Sequence, residues 1–185
     1  MKMLIEEIEV VIDKELQVKH CDLSKKIEAM LEDKKAMSRL GEVLKLNPEF
    51  ADLCYSPVIQ SGGVYDVNPY AKSNEENLSS NIIICKIGGD YRNYKSNIIR
   101  TLIIDATRAQ KENYIILNKL KNEIIKALQP GFTLESVFQT AIRFLEKEKP
   151  ELVKHLPKCF GNGVQILIIF SSHITRSASN TKKTF

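Results

Sequence analysis

Apolar residues recur every three or four positions in two segments near the start of the chain. Residues 3 to 16 carry such a stripe, which predicts a first helix with one apolar face. After a polar break at Lys19 and His20, Asp22 can cap a second helix, which Gly41 would end. The apolar positions of the first stripe are Leu4, Ile5, Ile8, Val11, Ile12 and Leu16, and those of the second are Leu23, Ile27, Met30 and Leu31.

The middle of the chain changes to β-branched runs that are typical of strands. Residues 55 to 59 are extended around Pro57 and run into the turn Ser61-Gly62-Gly63, and residues 65 to 80 are polar and loop-like.

Residues 82–87 and 97–104 form the best β-hairpin pattern in the chain. Both runs are apolar and β-branched, and Gly88-Gly89-Asp90 predicts the turn between them.

Two further helices are predicted after this hairpin. The first runs from Thr107 to Leu128 and is ended by Pro130-Gly131, and Thr133 can cap the second, which stops before Pro150. The positions expected to face inward are Tyr114, Leu117, Leu120, Ile124, Ile125 and Leu128 in the first helix, and Val137, Ala141, Phe144 and Leu145 in the second.

The end of the chain separates into two segments. Residues 164–170 are continuously apolar and predict a strand, whereas residues 171–185 are a Ser/Thr/Asn/Lys tail that we expect to be disordered. A chain of 185 residues is long enough for one ordinary domain, which we place at residues 1–163.

Composition excludes several classes of protein. No run of about 18 apolar residues is present, and acidic residues interrupt the first ten positions, so we expect no membrane span, no secretory signal and a location inside the cell. The net charge of +4 is mild and the lysines are interleaved with acids, which favours solvated helix faces over a nucleic-acid surface.

Cysteines and histidines lack the spacing of metal ligands. The four cysteines are Cys21, Cys54, Cys85 and Cys159. Because they lie more than 25 residues apart and form no CxxC pair, free buried thiols are favoured over disulfides or zinc ligation. His20, His155 and His173 are interpreted as core or surface residues.

The run from Lys86 to Leu102, KIGGDYRNYKSNIIRTL, resembles the hairpin of the creatinase/prolidase/aminopeptidase P superfamily. In its enzymes this hairpin reads D-I-G-A-x-Y-x-G-Y-x-S-D-x-T-R-T-F, and Pro130-Gly131 matches the Pro-Gly after their first long helix. The resemblance implies an α/β (α+β) class: a partial pita-bread fold, with an antiparallel sheet covered by helices. Residues 1–163 would be the first half of that domain, and the second half would be missing.

The resemblance also implies that catalysis is lost. Lys86 and Asn97 stand where the enzymes have two metal-binding aspartates; an ammonium repels a metal ion, and an amide offers only a neutral oxygen. Pro69 stands in the place of a histidine from a Pro-His-Tyr context, and Phe160 in the place of a histidine ligand. These four vacated positions predict a dead aminopeptidase-like domain with no catalytic residue, no metal and no cofactor.

Plain structural roles remain open for the same residues. Lys86 would then be a strand residue that reaches solvent, Asn97 a residue that flanks a turn and binds backbone, and Phe160 a core residue.

Several segments resemble one catalytically dead branch, the peptidase-like domain of the large subunit of FACT, a heterodimeric histone chaperone. They are residues 54–63, 96–102, 112–114 and 147–152, and the resemblance extends from about Glu6 to Gly163. It implies a non-catalytic histone-binding or protein-interaction module that acts on nucleosomes in transcription, replication and repair, located in the nucleus on chromosomes. Histones would be partners, and the small FACT subunit would bind through parts of the full protein outside this chain.

Two other functions are alternatives: a scaffold that docks a replication or transcription protein and, less favoured, a residual metallopeptidase. Lys86 makes the old active site a poor site for basic histone tails, so outer surfaces are better candidates. The apolar run 164–170 predicts an exposed edge that pairs with a second copy of the chain as a homodimer.

Overall fold

The computed structural model describes residues 1–157, except 34–36, 39–40, 44, 67 and 69. These described residues belong to two compact units, Met1–Ala106 and residues 107–157. Pro69, Phe160, Cys159, His173, the predicted strand 164–170 with its predicted dimer contact, and the tail 171–185 lie outside the described residues.

The described part of the first unit contains two long helices, a 3-10 helix at Pro48–Phe50 and a three-stranded sheet. Helix α1 spans Lys2–Asp13 and α2 spans His20–Glu32; strands β1, β2 and β3 span Ala51–Gln60, Ile82–Tyr91 and Tyr94–Ile103. The strands are antiparallel and lie in the order β1-β2-β3. The predicted combination of helices and antiparallel strands is confirmed.

Both helices bury their apolar stripes against one face of this sheet. The fully buried residues are Leu4, Ile8, Leu23 and Ile27 from the helices and Ile59, Ile83 and Cys85 from the sheet. Each large aliphatic side chain removed from water in this way contributes about 1.5–3 kcal/mol.

The predicted ends of the two helices are corrected. Helix α1 stops at Asp13 because Glu15 takes a positive φ of 49°, and Leu16 is 46% exposed rather than part of the stripe. Asp22 lies in the first turn of α2 instead of capping it, and Gly41 lies in a helical stretch at 41–43 instead of ending one. A Cβ at Gly41 would lie 2.7 Å from the carbonyl oxygen of Leu46, so a close approach explains this glycine.

The hairpin turns four residues later than predicted. Strand β2 continues through Gly88-Gly89-Asp90 to Tyr91, which pairs with Tyr94. Arg92 and Asn93 form the turn with φ of 52° and 65°, the left-handed conformation that a type I′ hairpin turn requires at both of its central positions. The prediction of a turn at the glycines was therefore wrong.

The second unit is a pair of helices followed by a short 3-10 segment. Helix α3 spans Arg108–Ala127, α4 spans Leu134–Glu148, and the 3-10 segment spans Pro150–His155. Thr107 caps α3 in a capping box with Gln110, and Thr133 caps α4 by accepting a hydrogen bond from the Ser136 amide. Both predicted helices and the predicted cap at Thr133 are confirmed, whereas the cap at Thr107, which was predicted as the first helical residue, is seen only in the structure.

Only part of the predicted inward stripe of α3 is buried. Leu120 packs against Ala141 and Leu145 of α4. Four other residues of the predicted stripe are exposed to solvent by 42–58% instead of being buried: Tyr114, Leu117, Ile125 and Leu128. Helix α3 carries apolar residues on two faces, and α4 covers the face that holds Ile116, Leu120 and Ile124.

No helix among the described residues has the length and apolar character that a bilayer span needs.

Candidate functional site

A bulge at Pro57 sets the geometry of the face that carries Lys86. Tyr55 lies opposite Gly88 and Val58 lies opposite Lys86, so β1 has one residue more than β2 in this interval. Proline lacks the amide hydrogen that a sheet ladder needs, and it is tolerated here because β1 is an edge strand. The bulge places Tyr55 and Val58 on the same face as Lys86.

The ring of Tyr55 lies between the two vacated positions that the structure describes. The Nζ atom of Lys86 is 4.7 Å from the ring centroid, and the Tyr55 hydroxyl donates a hydrogen bond to Oδ1 of Asn97. Gly88 lies directly opposite Asn97, and a Cβ on Gly88 would lie only 2.5 Å from Cε1 of Tyr55. We call these four residues the Tyr55 cluster: Tyr55, Lys86, Gly88 and Asn97.

Burial sets the electrostatics of the Tyr55 cluster. Burial, with a smaller contribution from the Cys54 thiol, raises the pKa of the Tyr55 hydroxyl to about 12, so this hydroxyl keeps its proton at neutral pH and donates to Asn97. Burial lowers the pKa of the Lys86 ammonium. An ammonium over an aromatic face is attracted by about 0.5–2 kcal/mol. The cluster holds a cation, a phenol and an amide, a set that suits packing and hydrogen bonding rather than coordination of a divalent metal.

The open structural roles of Lys86 and Asn97 are now resolved. Asn97 lies within β3 and bonds a side chain, so the interpretation of it as a residue that flanks a turn was wrong. Lys86 is half-buried on a strand and lies over Tyr55 instead of reaching freely into solvent.

Metal-binding groups are absent from the part of the chain that the structure describes: no three His, Cys, Asp or Glu side chains lie where they could share an ion. Pro69 and Phe160 lie outside that part, so their positions relative to Lys86 and Asn97 stay a prediction.

A buried histidine network was missed by sequence reasoning. His20 is fully buried; its Nδ1 is 2.5 Å from Oδ1 of Asn74 and its Nε2 is 2.7 Å from Oγ of Ser61. Ser61 also accepts a hydrogen bond of 2.8 Å from the Ser79 amide. The amides of His20 and Cys21 donate to carbonyls of the same loop, at Glu76 and Asn74, which replaces the predicted Asp22 cap.

The three described cysteines have different surroundings. Cys21, Cys54 and Cys85 are free thiols; Cys85 is fully buried in the core, and its burial raises the pKa of its thiol to about 12. The buried Cys85 therefore acts as a small apolar residue.

The sequence model of metallopeptidase family M24 matches residues 1–183. The chain belongs to this family. Within the curated proteins its relatives include FACT complex subunit SPT16 of Zea mays, at 40% identity over 164 residues, and of Arabidopsis thaliana, at 40% over 168 residues. These matches cover 87% and 88% of this chain, which spans about 15% of the length of either relative.

Solved structures give the same result. The N-terminal domain of FACT complex subunit SPT16 from Eremothecium gossypii matches with a TM-score of 0.82 at 31% identity, over 88% of this chain and 39% of that one. The same domain from Cicer arietinum matches with a TM-score of 0.78 at 34% identity, over 89% of this chain and 38% of that one. Prolidase from Thermococcus sibiricus matches with a TM-score of 0.65 at 17% identity, over 99% of this chain and 46% of the prolidase chain. At this identity the match shows a shared fold alone. The resemblance to the FACT large-subunit domain and to a partial pita-bread fold is confirmed.

Proposed function

We propose that this chain is a non-catalytic module of a FACT-type histone chaperone, and that histones bind to it. The observation that carries the proposal is 40% identity to FACT complex subunit SPT16 across 87% of the chain. Work on nucleosomes in transcription, replication and repair, a nuclear location, and a small FACT subunit bound through other parts of the full protein are proposed on the same basis.

The Tyr55 cluster supports the non-catalytic part of the proposal. Its lysine and its asparagine both engage the Tyr55 ring or hydroxyl, at positions where the resemblance places aspartate ligands in the enzymes. Without those carboxylates a metal ion is not held, and the activation of water by a metal has no basis.

The purified chain is expected to retain histone complexes at about 150 mM salt, where exposed charges more than about 8 Å apart are largely screened. The measurement is a pulldown with core-histone dimers and with core-histone tetramers, each against lysozyme as a basic protein that is not a histone. The proposal would be supported if the chain retains either histone complex and does not retain lysozyme. Retention of neither would overturn histone binding and favour the scaffold function, in which a replication or transcription protein docks instead.

The same preparation is expected to release no product from X-Pro peptides or from peptides with an N-terminal methionine. The assay adds Mn²⁺, Co²⁺ or Zn²⁺ and uses an active prolidase as the positive control. Because Lys86 and Asn97 supply no carboxylate, turnover should equal that of buffer with metal alone. Metal-dependent cleavage that a chelator abolishes would show a residual metallopeptidase and contradict the non-catalytic assignment.

A further inference from the structure

Helix α3 exposes a second apolar face, beside the one that packs against α4. Four apolar residues on it are 42–58% exposed: Tyr114, Leu117, Ile125 and Leu128, the last of them at the C-cap. Lys121 lies four positions after Leu117 and four before Ile125. Because an α-helix makes one turn in about 3.6 residues, these five side chains lie along one face. We call them the α3 seam.

The α3 seam has the spacing of one side of a helix pair. Tyr114, Leu117, Lys121 and Leu128 occupy positions a, d, a and a of a seven-residue repeat, the positions that pack against a neighbouring helix in a coiled coil. At about 1.5 Å per residue the seam is about 21 Å long, so a partner helix of about four turns would cover it. Exposed apolar residues at this spacing suit a helical partner rather than an extended one.

Two lysines give the α3 seam its charge. Lys121 lies at its centre and Lys111 borders its first turn; both are exposed, and neither takes part in an ion pair with the described residues. Both acidic residues of α3, Glu112 and Glu123, lie off the seam in ion pairs within the helix. A carboxylate of a partner opposite Lys121 would therefore complement the seam.

The same lysine disfavours other occupants of the seam. Lys121 is seven positions from either end, so a symmetric pair of two copies would place two lysines opposite each other, whether the helices run parallel or antiparallel. Residues 158–185 contain no aspartate or glutamate, so this segment of the chain cannot supply the carboxylate. A lipid surface would have to take Lys121 into its apolar layer together with the four apolar residues.

We propose that the α3 seam docks an amphipathic helix of another protein, whose apolar face carries an aspartate or glutamate opposite Lys121. A lysine at a single a position of a helix pair selects such a partner and its register. The inference goes beyond the proposed function, because histones are basic proteins and the seam calls for an acidic one. It gives the chain a second class of partner.

The test measures, on the full chain and by fluorescence anisotropy, the affinity of a dye-labelled helical peptide. The peptide has leucines at its a and d positions and a glutamate at one central a position. We expect Leu117→Gln and Ile125→Gln each to weaken binding about tenfold, because each removes an exposed apolar contact. Both side chains are exposed and glutamine is a good helix former, so both variants should keep the circular dichroism spectrum of the unaltered chain.

A charge swap tests the role of Lys121. Lys121→Glu should weaken binding of the glutamate peptide about tenfold, and a peptide with lysine in place of the glutamate should bind this variant about tenfold more tightly than it binds the unaltered chain. The matched control is Lys119→Glu, an exposed residue of the same helix that lies off the seam, which should change either affinity less than about twofold. Equal effects of the two variants would show general attraction between charges and overturn the proposal.

The other occupants are outcomes of the same test. Failure of the unaltered chain to bind the glutamate peptide would overturn the proposal. A dimer in light scattering that Leu117→Gln dissolves would mean that a second copy occupies the seam, and sedimentation with anionic lipid vesicles that Leu117→Gln abolishes would mean that a membrane does. Either result also overturns it.

Pulldowns of histone complexes with Leu117→Gln separate this inference from the proposed function. Unchanged histone retention together with weakened peptide binding would support a separate site for the acidic helix. Loss of histone retention in this variant would mean that histones contact the seam, which overturns the assignment to an acidic partner and leaves histone binding standing.

Discussion

Replacing His20 with alanine is expected to lower the free energy of unfolding by about 3 kcal/mol. His20 is fully buried, so the shorter side chain leaves a cavity in the first unit. The substitution also removes the partner of Ser61 Oγ at 2.7 Å and of Asn74 Oδ1 at 2.5 Å. Urea unfolding followed by circular dichroism measures the change.

Two further variants test the cause of this loss. His155 is exposed, so His155→Ala removes the same side chain from a surface and should change the free energy by less than about 0.5 kcal/mol. Ser61→Ala keeps the imidazole but removes its partner and the acceptor of the Ser79 amide, and should cost about 1–3 kcal/mol. If His20→Ala unfolds at the same urea concentration as His155→Ala, the network does not stabilise the first unit.

Replacing Gly88 with alanine is expected to cost about 2 kcal/mol. The added Cβ would lie 2.5 Å from Cε1 and 2.8 Å from Cζ of Tyr55, well inside van der Waals contact, so the ring has to move. Movement of the ring weakens its contact with Lys86 and its hydrogen bond to Asn97. The same urea unfolding experiment detects the loss.

Gly89 provides the matched control for this prediction. It is the next residue of β2, and the nearest atom to an added Cβ is the Asp52 carbonyl oxygen at 4.0 Å, so Gly89→Ala should cost nothing measurable. The double variant Tyr55→Ala with Gly88→Ala removes the clash, and its cost should be smaller than the sum of the two single costs. Equal effects of Gly88→Ala and Gly89→Ala would show that Tyr55 is not packed against Gly88.

The Tyr55 cluster shows which contacts hold this face of the sheet together. In an M24 enzyme, by the resemblance of the hairpins, two carboxylates at these positions need a cation between them. Here the hydroxyl of Tyr55 bonds Asn97, and its ring accepts the ammonium of Lys86. A fold can be retained while the chemistry of a site changes, which is why the proposed function rests on the relatives rather than on the fold itself.

The amino-acid sequence by itself determined the features that depend on neighbouring residues. Thr133 predicted the cap of α4, because a cap needs only a side-chain oxygen just before a helix. The hairpin motif from Lys86 to Leu102 predicted the family, because its residue types follow the spacing of the family's hairpin.

Only the tertiary structure decided how distant residues meet. Tyr55 and Asn97 are 42 positions apart, and His20 and Asn74 are 54 apart, so no local periodicity relates them. The position of the hairpin turn at Arg92-Asn93 likewise depended on the pairing register, which Gly88-Gly89 did not reveal. On α3, the sequence predicted one inward stripe, and only the structure shows that α4 covers Leu120 and leaves Leu117 and Ile125 exposed. The physical reason is common to all four cases: periodicity reports which side chains share a face, whereas the partner of that face is chosen by packing across the fold.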